Sequence, residues 1–276
     1  MTGASSNVST PRVDKPTCTR DELKSLTAAY VAGQARGSLA TLPLHEKAQY
    51  LENMTTVEAD AGLWNTALPV ASALNFHDPV RCKTYSEIVV TEGGTPYVIG
   101  TRLYADKGKV IRVDSIVTKT GDWLFNANAF LKYTKLEDWN PIHTYQRTSP
   151  SEMIRGANAY LDGFADKFTD IPWGIPCARL EGGGYTNRDN KPDASCEIGM
   201  PPGVLYIVER DYLIDEEMGV INVFCRFGGS TGGPDSHTFR YIDGKFRQIH
   251  TLTAIPGPQA DDNGAMAGGA RDPNAA

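Results

Sequence analysis

No apolar run in this chain of 276 residues approaches the roughly 20 needed to cross a bilayer, so a membrane-spanning helix is excluded. Basic charge is also short. With 27 Lys and Arg against 33 Asp and Glu, the net charge is -6 and there is no footprint for nucleic acid. No H-E-x-x-H motif or close Cys pair marks a metal or redox centre. The run Gly182-Gly-Gly184 lacks the Lys-Ser/Thr end of a phosphate loop, and there is no G-x-S-x-G elbow of a serine hydrolase. What remains is chemistry that needs no cofactor and no metal, or plain binding. The N-terminus, Met1 to Ser9, lacks the apolar segment of a signal peptide, so a cytoplasmic protein is expected. A mature secreted chain is the alternative.

Five cysteines leave at least one unpaired in a monomer; Cys177 and Cys196 bracket a Gly-rich loop that a disulfide would staple. Residues 1–17 and 256–276 are Ser, Thr, Pro, Gly, Ala and Asp with little apolar surface, and read as flexible tails. Between them the order of elements occurs twice. Thr19 caps a helix carrying Leu23, Leu26 and Tyr30, and strand-like runs follow at 83–91, 97–104 and 110–118. Trp123 to Phe130 extends the sheet or links the halves. Ser149-Pro-Ser-Glu152 opens a second helix, and strands follow at 203–212, 219–227, 237–241 and 246–253. Helix first and curved antiparallel sheet after, in two copies, predicts a tandem α+β architecture with domains over 18–148 and 149–255.

The copies match most visibly at their last strands. Gly108-Lys-Val-Ile-Arg-Val-Asp-Ser-Ile-Val-Thr118 aligns with Gly244-Lys-Phe-Arg-Gln-Ile-His-Thr-Leu-Thr253, and Asp114 falls on His250. Strict alternation puts Val110, Asp114 and Ile116 on one face, and Phe246, His250 and Leu252 on one face. Each copy then sets one ionisable group in a mostly apolar row.

Helix, irregular segment and antiparallel meander together resemble the cone-shaped fold of the nuclear transport factor 2-like superfamily, which includes SnoaL-type cyclases, ketosteroid isomerases and scytalone dehydratases. Seven blocks sharpen the resemblance: Cys18-Thr-Arg-Asp21, Gly121-Asp-Trp-Leu-Phe-Asn126, Glu137-Asp-Trp139, Pro172-Trp-Gly174, Pro176-Cys-Ala-Arg-Leu-Glu-Gly182, Pro234-Asp-Ser-His237 and His250-Thr-Leu-Thr253. They are similar to a fungal family of tandem cone proteins, mostly secreted. The absent signal and the ending Thr253-Ala-Ile-Pro, where that family tends to finish in a cysteine, point to an intracellular relative recruited to a biosynthetic pathway and weigh against disulfides.

The resemblance implies an apolar pocket inside each cone holding one or two acid-base groups. Burial raises a carboxylate's pKa and lowers an imidazole's, bringing both toward neutrality. Asp114 and His250 are the positional candidates, against a structural role as hydrogen-bonding ties. His45, Tyr50 and Glu52 stand near the mouth of the first cone, where a base, a phenol and a carboxylate would act together. Arg179 and Glu181 share a face of an extended segment, as an ion pair or as an anchor for a ligand carbonyl. Trp64, Trp123, Tyr185 and Met200 are candidate lining residues. His237 reads as a core or turn histidine, and His77-Asp78 and His143 as loop residues. The expected activity is an isomerase or cyclase of the chalcone-isomerase type, acting on a hydrophobic, oxygenated or aromatic small molecule. His45 or His250 would serve as base, and Arg179 or Tyr50 as donor to the enolate. A carrier or interaction protein, and a dehydratase or pericyclase, are the alternatives. Open sheet faces in such folds often pair, which allows a homodimer.

Overall fold

A computed structural model describes residues 18–197, 203–256, 260 and 263. The tail expected over 1–17 lies outside the described residues. Thr19 and Glu22 form a capping box at the start of α1 (Arg20–Arg36), and Gly37 ends it in the left-handed conformation, φ 68°. Six strands follow: β1 (Leu44–Glu52), β2 (Thr55–Thr56), β3 (Ser72–Asp78), β4 (Lys83–Val90), β5 (Tyr97–Asp106) and β6 (Lys109–Lys119). Helix α2 (Ala127–Thr134) links them to α3 (Pro150–Asp162), whose capping box is Ser149 with Glu152. The second set is β7 (Ala178–Glu181), β8 (Gly184–Tyr185), β9 (Ile207–Asp215), β10 (Val220–Phe227), β11 (Gly233–Ile242) and β12 (Lys245–Thr253).

Both sheets have one topology, β2-β1-β6-β5-β4-β3 and β8-β7-β12-β11-β10-β9. In each the first strand lies parallel to the last, β1 on β6 and β7 on β12. The result is two tandem cone-shaped α+β units. Leu23, Leu26 and Tyr30 of α1 fill the first cone against Ile88, Ile99, Leu103 and Val113. Met153, Ala157 and Tyr160 of α3 fill the second against Ile221, Val223, Phe239 and Phe246. Each Leu, Ile, Val, Met or Phe among them contributes about 1.5–3 kcal/mol on burial.

The outer faces of the sheets pack on each other. Phe76, Tyr85 and Ile116 meet Leu180, Phe224 and Leu252 in a third core cluster. The approach is close at Gly100, where an added Cβ would lie 2.7 Å from the Tyr85 hydroxyl and 3.2 Å from Leu252. Arg102, buried in this seam, sits 4.2 Å over the Phe224 ring and donates to Asn222 Oδ1 and Asp211 Oδ2. Open sheet faces are thus covered within one chain.

Several expectations change. Val110 pairs with Ala105 while Arg112 pairs with Tyr104, leaving Ile111 as an extra residue. Phe246 pairs with Tyr241 while Gln248 pairs with Arg240, leaving Arg247 extra at the equivalent place. A bulge resets alternation. Val110 and Phe246 therefore enter the cone cores, whereas Asp114 and His250 leave them and face outward, correcting their assignment to the cone interiors. Residues from Trp123 to Phe130 do not extend the sheet; Asn126 caps α2 by accepting from the Ala129 N–H. His77 and Asp78 belong to β3 rather than to a loop, and both are buried. In the stretch after Thr253, Ala260 and Asn263 dock on α2, their carbonyls accepting from the Asn126 amide and the Tyr133 hydroxyl.

Two disulfides are present, although the ending at Thr253-Ala-Ile-Pro and the absent signal weighed against them. Cys18–Cys82 ties the start of α1 to the β3–β4 turn, across 64 residues of sequence. Cys177–Cys196 closes the Gly-rich loop, as its spacing allowed. The first pairing had no local signal, because helix packing alone brings its partners to a Cα separation of 5.4 Å. Cys225 is free and buried.

Candidate functional site in the second cone

The candidate site residues fall in three places. His45, Tyr50 and Arg112 line a surface groove of about 540 Å³ along the β1 edge. His45 lies within β1, and its Nδ1 accepts the Lys47 N–H. Tyr50 packs 5.4 Å from the Trp64 ring. Trp64 is core, 1% exposed, with its indole N–H donating to the Ala59 carbonyl. Glu52 turns away to accept the Leu63 N–H. Asp114, on the outer face, pairs with Arg112; burial pushes its carboxyl above the usual range, against the pull of that guanidinium. Trp123 is half-buried between β6 and α2. Met200 lies outside the described residues.

The second place is the seam between the sheets. His250 is fully enclosed there, with Nδ1 2.7 Å from Glu87 Oε1 and Nε2 2.6 Å from Glu137 Oε2. Burial alone would lower its pKa, but the two carboxylates outweigh it and hold it up to about 10. His250 is therefore an imidazolium donating from both nitrogens. A base needs a free lone pair, and this ring has none to offer. Trp139 donates to the same Glu137 oxygen at 3.1 Å. Tyr185 stacks on Tyr133 at 4.3 Å and leans on Glu137, which, after burial, holds its phenol protonated. His250 and Tyr185 are thus brought together, as members of a tie between the halves.

The third place is the inside of the second cone. Arg179 on β7 pairs with Glu181 and lies 5.6 Å from the Tyr160 ring of α3. Arg179 Nε and Nη1 are buried and make no aligned hydrogen bond. Burial would ease its proton away, but Glu181 and Tyr160 hold the guanidinium charged. Burial likewise pushes the Tyr160 phenol up, so it stays a donor. Around this group the cone is aromatic: Tyr160 meets Phe239 at 5.1 Å, Trp173 at 5.8 Å and His237 at 5.5 Å.

Further along the same face, Asp235 and His237 of β11 and Cys225 of β10 lie side by side, each at most 1% exposed. Asp235 Oδ2 is 3.0 Å from His237 Nδ1 and 3.9 Å from Cys225 Sγ, and Asp235 Oδ1 accepts the Thr253 hydroxyl at 3.1 Å. Among the described residues, these three side chains are the group that could hold a metal. Asp235 and Cys225 were missed as functional candidates, and His237 was read as core. The available signal was the i, i+2 spacing of Asp235 and His237, which sends both to one face of a strand.

A domain of unknown function (DUF8021) matches residues 146–253, the second cone and its approach. No curated protein matches the chain. Among solved structures, an NTF-2-like protein of unknown function from Burkholderia xenovorans LB400 is similar at 12% identity, covering 36% of this chain and 84% of its own, with TM-score 0.28. AclR of Streptomyces galilaeus is similar at 16% identity over 36% of this chain and 91% of its own, TM-score 0.27. An NTF2-like protein of unknown function from Shewanella baltica OS155 shows 13% identity over 36% and 92%, TM-score 0.26.

Proposed function

We propose that the protein binds a hydrophobic, oxygenated small molecule in the second cone and catalyses proton transfer on it, as an isomerase or cyclase does. One observation carries this reading: a buried, charged guanidinium set among aromatic side chains, beside the Tyr160 phenol and paired with a carboxylate. Such a group is matched to an oxygen that gains negative charge during reaction. Arg179 would hold the enolate oxygen and Glu181 would accept the proton, with Tyr160 as a further donor. His45 is on the other sheet and cannot join Arg179 at one centre within the chain. The setting this reading implies is fungal secondary metabolism, with polyketide or phenolic substrates.

The test is incubation in deuterated water with a panel of phenolic enones and polyketide-like aromatics. An isomer carrying one deuterium is expected, with turnover lowered roughly 10²- to 10³-fold in Arg179→Met, the cost of losing one oxyanion donor. Full activity in Arg179→Met would sink this mechanism. The two disulfides favour a second reading, a secreted binding protein, because disulfides persist in oxidising compartments. Ligand-dependent thermal shifts with no turnover across the panel would favour it.

A further inference from the structure

We propose that Cys225, Asp235 and His237 form a binding site for a divalent metal ion of the zinc class. A thiol, a carboxylate and an imidazole converge there, with their ligand atoms all within 4.8 Å of one another and all three residues buried. Zinc binds nitrogen and oxygen at about 2.0–2.2 Å and sulfur at about 2.3 Å, so tetrahedral ligands stand about 3.3–3.6 Å apart. The observed separations of 3.0 and 3.9 Å bracket that spacing.

The alternative use of these residues is an Asp–His pair, and the geometry argues against it. His237 Nδ1 lies 3.0 Å from Asp235 Oδ2 yet makes no aligned hydrogen bond, and it is buried. Asp235 and His237 are positions i and i+2 of β11 and share one face of the strand. An ion bound between them would satisfy both. The charge also closes: thiolate, carboxylate and neutral imidazole sum with a divalent cation to zero, which is what a buried site requires. Thr253 donates to the second carboxylate oxygen and fixes its orientation, as an outer partner of a metal ligand does. With three protein ligands, a fourth position remains for water or a substrate oxygen.

The first cone supplies an internal control. Strand pairing sets Ile88 opposite Ile99, where Cys225 faces Asp235, and sets Thr101 opposite Ser115, where His237 faces Thr251. The same scaffold holds its shape with Ile88, Ile99 and Thr101 at these places, so the fold does not require a Cys-Asp-His set. The site rests on ligand geometry alone and does not need the second cone to be catalytic.

Cobalt(II) titration of the full, folded chain, stripped with chelator, tests this directly. One equivalent should bind with a thiolate-to-cobalt charge-transfer band and be displaced by zinc. Cys225 is the one cysteine outside the disulfides, so that band reports a single residue. Cys225→Ser should abolish the band, and His237→Gln, which removes a direct ligand, should weaken binding by more than the roughly 10-fold that loss of an outer partner costs. Absence of the band in folded wild-type protein, or its persistence in Cys225→Ser, overturns the site whatever the enzymatic assays give. Circular dichroism of each variant separates lost ligation from lost fold.

Discussion

The two cones share a topology, a pair of bulges and even an aromatic residue at one place on the helix, yet differ at their tips. Tyr30 of α1 reaches Thr101 at 2.7 Å, and Thr101 reaches Ser115 at 2.7 Å, so the first cone spends its buried polarity on a closed hydroxyl chain. Tyr160 of α3 instead faces His237 and Arg179. By strand register, Tyr50 occupies the place of Arg179, Ile99 that of Asp235 and Ile88 that of Cys225. The scaffold tolerates either filling. Charge and ligating atoms were concentrated in one half, while the other was left as an apolar core whose polar groups are satisfied by each other.

The sharpest way to break the comparison is at the equivalent pair His250 and Asp114. His250→Ala leaves Glu87 and Glu137 facing each other in the seam, and should cost about 3–5 kcal/mol in chemical denaturation, the usual penalty of orphaning a buried charge. The wild-type protein should also lose stability with rising pH. The folded pKa of His250 is raised above its unfolded value of about 6.5, so its contribution is complete below that value and is lost as pH climbs toward about 10. His77 works in the opposite sense. Burial and the nearby Arg20 and Lys24 hold it down to about 4, so stability should fall as pH drops from about 6.5 toward 4. Denaturation midpoints across pH would show both limbs, and His250→Ala should remove only the alkaline one.

Removing the disulfides compares the halves at the next level of size. The chain-entropy estimate gives about 4 kcal/mol for Cys18–Cys82, which closes 64 residues, and about 3 kcal/mol for Cys177–Cys196, which closes 19. Paired Ser variants should therefore differ by about 1 kcal/mol in the urea midpoint series, with the first-cone pair the costlier. Equal costs would show that the longer loop keeps structure when unfolded. Smallest of all should be Asp114→Asn. Its partner Arg112 is 35% exposed, so the change should stay within about 1 kcal/mol.

Much of the fold was legible. Thr19 with Glu22 and Ser149 with Glu152 marked the helix starts, and the Gly108-Lys and Gly244-Lys turns marked the repeat. The candidate site was less so. Arg179 and Glu181 were found because a short extended segment sends i and i+2 to one face, and they do pair. Asp235 and Cys225 were not, because their partnership is across strands and needs the β10–β11 register. His250 was noticed for its place in the repeat, but its surroundings come from Glu87, 163 residues away, and Glu137, 113 residues away.

Local chemistry in the chain settled the helices, the turns, the count of strand repeats and the alternation that makes two sheets. Tertiary structure decided which face each charged group took. A one-residue bulge at Ile111 and again at Arg247 reverses every assignment on one side of it without altering composition or period in a recognisable way. It decided partners as well: ion ties, the Cys18–Cys82 bridge and the Cys-Asp-His cluster are set by which surfaces pack. No local propensity records a contact between residues a hundred positions apart.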